Sequence, residues 1–203
     1  MPAVHVRRLP HFETVGHPVF LTWRLAGSLP KGRHFPSDLQ SGEAFAAMDR
    51  LLAQAQSGPR YLSRPEIANL VVEAVHFRAL SMGHFQLHHY VAMPNHVHLL
   101  VTPIVPVSKL MHSLKRYTAR EANRVLGLTG EPFWQEESYD RLVRDQREFD
   151  RIARYIEWNP VRSGLAAVPE AFAWSSAWPI GNRPQVSNLP HSGEPAASTK
   201  SSC

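Results

Sequence analysis

The chain has 203 residues, 43% hydrophobic and 19% charged, enough for one domain with a substantial core. Its formal charge is +5 with twelve histidines uncounted, which permits nucleic-acid binding without indicating a site. No run of about 18 apolar residues and no signal-peptide core are present, and the single cysteine, Cys203, excludes an intrachain disulfide, so a cytoplasmic protein off the membrane is expected.

Residues 18–26 are rich in β-formers, with Val19, Leu21, Trp23 and Leu25 on one face, and predict the first strand. Gly and Pro mark 27–36 as a loop. Phe45, Met48, Leu52 and Ala55 recur at helical spacing over 43–56. A second helix follows Ser63-Arg-Pro-Glu66, a capping-box pattern, and Gly83 closes it.

Residues 84–92 alternate as a strand, and Met93-Pro94-Asn95 is a short turn into a third strand that Pro103 and Pro106 end. On that strand His96, His98 and Leu100 point one way, and Val97, Leu99 and Val101 the other. Two imidazoles about 7 Å apart on one face can share a metal ion if a third ligand comes from elsewhere.

Ser108 is expected to cap a helix running to Leu126, with Gly127 as its stop. Residues 138–143 predict a short last strand. Asp145-Gln-Arg-Glu148 starts a further helix with Phe149, Ile152, Ala153 and Ile156 buried, and Asn159-Pro160 is expected to end it. From Gly181 onward Ser, Pro, Asn and Gly dominate, so residues 1–180 are expected to form one domain and 181–203 a disordered tail. The first six elements match a ferredoxin-like βαββαβ arrangement of the α+β class, an antiparallel sheet with helices on one face plus a C-terminal helix.

The helix over 108–126 sets Lys109, Lys115, Arg116, Arg120 and Arg124 against one acid, Glu121. Arg116, Arg120 and Arg124 form a basic stripe, and Tyr117 and Glu121 are i, i+4 neighbours. A tyrosine oxygen can attack a phosphodiester and split a hard transfer into two easier ones. Two histidines and one carboxylate suit Mn²⁺ or Mg²⁺, which would polarise the phosphate. Each feature also has a plain structural reading: a packed His-x-His, a core-edge tyrosine, a solvated basic face.

Met93-Pro-Asn-His-Val-His-Leu-Leu-Val101 resembles the HUH motif of single-tyrosine transposases, the IS200-like superfamily, in particular the REP-associated tyrosine transposases. The resemblance extends through Leu114-Lys-Arg-Tyr-Thr-Ala-Arg120, Phe133-Trp-Gln135, residues 139–145 and 155–165, and upstream through Arg7-Arg-Leu-Pro10 and residues 20–25. It implies a metal-dependent endonuclease and strand transferase acting on single-stranded or hairpin DNA, with monomeric and homodimeric relatives. Residue by residue, it implies His96 and His98 as metal ligands, Tyr117 as the nucleophile forming a 5′-phosphotyrosine, and Glu121 as third ligand. Lys115, Arg116, Arg120 and Arg124 are the expected DNA contacts. Tyr90, Tyr139 and Tyr155 are the rival tyrosines, Tyr90 and Tyr155 being read as packing. Two other functions fit these residues: a hairpin-binding protein acting by occupancy, and a metal phosphodiesterase using activated water.

Overall fold

Strand β3 (His96–Pro103) is buried along nearly its whole length, and the architecture follows from covering both of its faces. It lies between β2 (Phe85–Ala92) and β1 (Val19–Arg24), and β4 (Tyr139–Leu142) closes the far edge, giving the antiparallel order β2-β3-β1-β4. The register pairs Thr22 with His98 and Arg24 with His96. The computed structural model describes residues 15–29, 51–52 and 58–179. The helix expected over 43–56 falls outside the described residues except for Leu51 and Leu52, which are helical, and so does the tail from residue 181.

Helix α1 (Pro65–Leu80) connects β1 to β2, and α2 (Val107–Leu126) connects β3 to β4. Both pack on one face of the sheet, where Val19, Leu21, Trp23, Val97, Leu99 and Val101 meet Ile67, Val71, Leu110 and Leu114. Helix α3 (Gln146–Arg162) covers the other face, where Phe20, Val91 and Leu100 meet Ile152, Ala153 and Ile156. This is the expected ferredoxin-like α+β fold with its two crossover helices on one face and the C-terminal helix on the opposite one. Among the described residues no helix is long and apolar enough to cross a membrane.

Local chemistry shifts some of the expected boundaries. Arg64, not Ser63, is the N-cap of α1, because Ser63 is spent in a short 3₁₀ turn (Tyr61–Ser63) and makes no capping bond. α2 starts at Val107 behind Pro106 rather than at Ser108, and ends at Gly127, whose φ of 70° lets the chain turn left-handed. α3 runs through Pro160 to Arg162 instead of ending there, since Asn159 and Pro160 are both buried and packing holds the turn helical.

Polar and aromatic contacts fasten α3. Asp145 caps it, its carboxylate accepting the Glu148 N–H at 2.8 Å. Glu148 turns inward, accepting the Arg144 N–H at 2.9 Å and pairing with Arg141 on β4. Farther along, Phe149 lies against the edges of His88 and His89, at ring separations of 5.1 and 6.2 Å, where the β2–β3 register shifts. His89 also faces Glu157 at 3.0 Å. Removing the cap in Asp145→Ala should lower stability by about 1 kcal/mol. Urea unfolding would show this as a lower midpoint at unchanged slope.

Candidate active site

Alternation along β3 sends Val97, Leu99 and Val101 to the α1/α2 layer and turns His96 and His98 toward α3. Both imidazoles are 0% exposed, and their rings lie 4.7 Å apart at 69°. His96 Nδ1 donates to Asn95 Oδ1 at 2.7 Å, and Asn95 is itself fixed by donating Nδ2 to Leu52 O at 2.9 Å. His98 Nδ1 and Thr22 Oγ1 share a hydrogen bond of 2.8 Å across the strand pair. Holding a histidine by one ring nitrogen sets its tautomer and orients the other, the arrangement that surrounds metal-binding imidazoles. In His96 the bond to an amide oxygen puts the proton on Nδ1 and makes Nε2 the basic nitrogen.

The residue that α3 lays on this pair is Tyr155. Its ring centre is 5.5 Å from that of His98 and 6.2 Å from that of Phe20, and Phe20 stacks on His98 at 5.5 Å. Arg162 sits over the other side of the phenol, its guanidinium carbon 4.4 Å from the ring centre, and donates to the Tyr155 carbonyl at 2.6 Å. Asn159 follows one helical turn after Tyr155 and is 2% exposed.

Strand β1 adds a cation. Phe20, Thr22 and Arg24 alternate with the core residues Val19, Leu21 and Trp23, so Arg24 shares the histidine face and stands opposite His96 in the register. Burial lowers its pKa, with Glu137 acting in the opposite sense. Arg24 Nη1 donates to Ser28 Oγ at 3.2 Å, while its buried Nε has no hydrogen-bond partner among the described residues. A half-buried guanidinium on the face that carries two imidazoles is suited to an anion such as phosphate.

The other expected site residues are elsewhere. Tyr117 and Glu121 lie on α2, and Tyr117 packs into the core on the opposite face of the sheet from the histidines. Among the described residues no three His, Cys, Asp or Glu side chains converge on one point, so the set His96, His98 and Glu121 is not assembled. Glu121 is instead taken up by Arg120 and Arg124 at 2.7 and 3.1 Å. Lys115 is spent on the carbonyls of Gln135 and Glu136, at 2.7 and 2.6 Å, and Arg116 is exposed on the same remote layer. Arg78 and Arg120 lie 5.0 and 5.7 Å from the Tyr117 ring centre. Even so, its phenol pKa is raised, by burial first and by Glu121 second, the wrong direction for a nucleophile. Trp134 donates Nε1 to Thr118 Oγ1 at 2.8 Å and packs edge-on against Trp23, which accounts for it as core.

The structure groups the two expected histidines on one face with Tyr155 and Arg24, which sequence reasoning had not placed beside them. The signals were present. Tyr155 and Asn159 repeat the i, i+4 spacing of Tyr117 and Glu121, and Arg24 lies on the face of β1 that Val19, Leu21 and Trp23 leave.

Residues 64–159 match a family model described as IS200-like transposase. No curated protein matches the chain. Among solved structures, a REP-associated tyrosine transposase bound to a REP hairpin superposes with a TM-score of 0.53 at 16% identity, over 93% of this chain and 98% of that one. A candidate transposase from Deinococcus radiodurans R1 aligns at 17% identity over 70% of this chain and 89% of its own, with a TM-score of 0.34. The first likeness is one of fold. The family match contains both histidines and both Tyr117 and Tyr155, so it does not choose between the tyrosines. Spectrophotometric titration should show that Tyr117→Phe deletes a phenolate step lying above the ordinary tyrosine range, because burial raises the Tyr117 pKa.

Proposed function

We propose, from the match of residues 64–159 to the IS200-like transposase model, that the chain cuts and rejoins single-stranded or hairpin DNA with Tyr155 as nucleophile. The observation that carries this reading is the Tyr155 ring set 5.5 Å from His98, on the face of the sheet that holds both histidines. Tyr117 is the alternative nucleophile that this placement disfavours.

The donor set fits a hard divalent ion. His96 and His98 would supply imidazole nitrogens, each oriented through Nδ1, and the Asn159 amide oxygen would complete the set in place of a third carboxylate. When bound, Mg²⁺ or Mn²⁺ supplies a Lewis acid for a phosphate oxygen. The chain's own groups do the rest. Arg24 offers its guanidinium to the scissile phosphate from the histidine face. Arg162 covers the phenol ring from outside and donates to the Tyr155 carbonyl, which holds the ring in place. The Tyr155 oxygen attacks phosphorus and the bond to the 3′ oxygen breaks. The phenolic proton is lost and the departing oxygen gains one, leaving a 5′-phosphotyrosine and a free 3′-OH. Attack by a 3′-OH on the phosphotyrosine reverses these bond changes and rejoins a strand. Arg116, Arg120 and Arg124 on α2 face away from this chemistry and would meet another part of the DNA.

A labelled hairpin with a single-stranded flank, incubated with the protein and Mn²⁺, should give a covalent adduct resolved on a denaturing gel. Tyr155→Phe should abolish the adduct, and Tyr117→Phe should retain it. An adduct that persists in Tyr155→Phe would overturn the nucleophile assignment, and cleavage without any adduct would make water the attacker. Binding with neither would leave a protein that acts by occupancy.

The second shell can be tested without turnover. Thr22→Val keeps the shape of the side chain and removes the bond to His98, so Mn²⁺ affinity measured by calorimetry should drop about 10-fold or more. Unchanged affinity would detach His98 from the metal.

A further inference from the structure

Apart from Arg162, the outer face of α3 is unused by the proposed reaction, and its residues follow a pattern of their own. Arg147, Arg151, Arg154, Trp158 and Arg162 are all exposed. At about 100° per residue they fall within ~40° either side of Trp158. Trp158 is 48% exposed, an unusual position for the largest apolar side chain. The acids of the helix lie off this stripe and are engaged: Glu148 with Arg141, Glu157 with His89, and Asp150 with the Gln146 amide at 2.7 Å. Within the stripe Arg151 pairs with Glu148 at 3.3 Å, so Arg147, Arg154 and Arg162 carry its charge, with one aromatic plane set between Arg154 and Arg162. Tyr155 borders it, since Arg162 covers the Tyr155 ring.

We propose that this face of α3 is a binding track for single-stranded DNA, with Trp158 as the platform on which an unpaired base stacks and the flanking arginines as contacts for its phosphates. Cationic side chains that follow a backbone, interleaved with an aromatic that accepts any base, are the physical requirements for binding unpaired nucleic acid. A solvated stripe would explain the arginines, but it gives no reason for an exposed tryptophan at its centre. The track deepens the reaction proposed above and rests on that reading for its purpose, which is to lead the strand past Tyr155.

The test needs neither metal nor turnover. Binding of an oligothymidylate of about ten nucleotides, and of an abasic strand of the same length, is measured by fluorescence anisotropy for wild type, Trp158→Ala, Trp158→Phe and Arg154→Gln. Wild type should prefer the thymidylate. Trp158→Ala should weaken it about 5-fold or more, down to the abasic level, and leave the abasic strand unaffected. Trp158→Phe should restore most of the loss. Arg154→Gln should weaken both strands and reduce the salt dependence by about one phosphate contact. The proposal is overturned by equal loss on both strands in Trp158→Ala, by no loss, or by a wild type that binds neither strand. A covalent adduct that survives Tyr155→Phe would instead overturn the nucleophile and leave these binding results standing.

Discussion

Strand β3 must serve two cores at once. A strand with period-two side chains and both faces covered has no solvent side on which to place a polar group, so every residue turned to either layer is buried. Val97, Leu99 and Val101 meet this demand with apolar side chains under α1 and α2. On the other face His96 and His98 replace two of the aliphatic residues that packing alone would choose. Burying a polar group is unfavourable unless hydrogen bonds compensate, and Asn95 and Thr22 provide them here. The sheet thus keeps two imidazoles fixed and dry within its own interior, which is what a metal or phosphate site requires and what stability alone would not select.

Beyond β3, the histidine face is built from the elements that cover and flank it. β1 contributes Thr22 and Arg24 through its alternate positions, and α3 contributes Tyr155 and Asn159 through one helical turn. The contacts that fasten α3 are polar at its start and aromatic in its middle, from Asp145 and Glu148 to Phe149 between His88 and His89. They determine where the phenol sits, although none of them touches it.

The strands, the helices and the histidine face could be read from periodicity because each depends on short-range spacing. The partner helix depends on long-range topology. Tyr117 with Glu121 and Tyr155 with Asn159 have the same spacing, so spacing cannot rank them. What separates them is that α2 bridges β3 to β4 and shares a face with the other crossover helix, α1. The two-helix layer takes the more apolar side of β3, which leaves the histidine side to the only remaining described helix. The basic stripe on α2 divides in the same way: exposure and charge were visible in the sequence, but the carbonyls that engage Lys115 and the carboxylate that engages Arg120 and Arg124 follow from the fold.

Pro160 gives the last turn of α3 a conditional character. A residue preceding proline is biased away from the helical region, and proline itself donates no backbone hydrogen bond. Asn159 is nonetheless helical and buried, so tertiary packing holds it in a conformation that its own sequence disfavours. An isolated peptide of this helix would fray from Asn159 onward. In the intact protein this turn is helical only while the helix is docked, so one local equilibrium controls both the closing of the core and the position of Asn159.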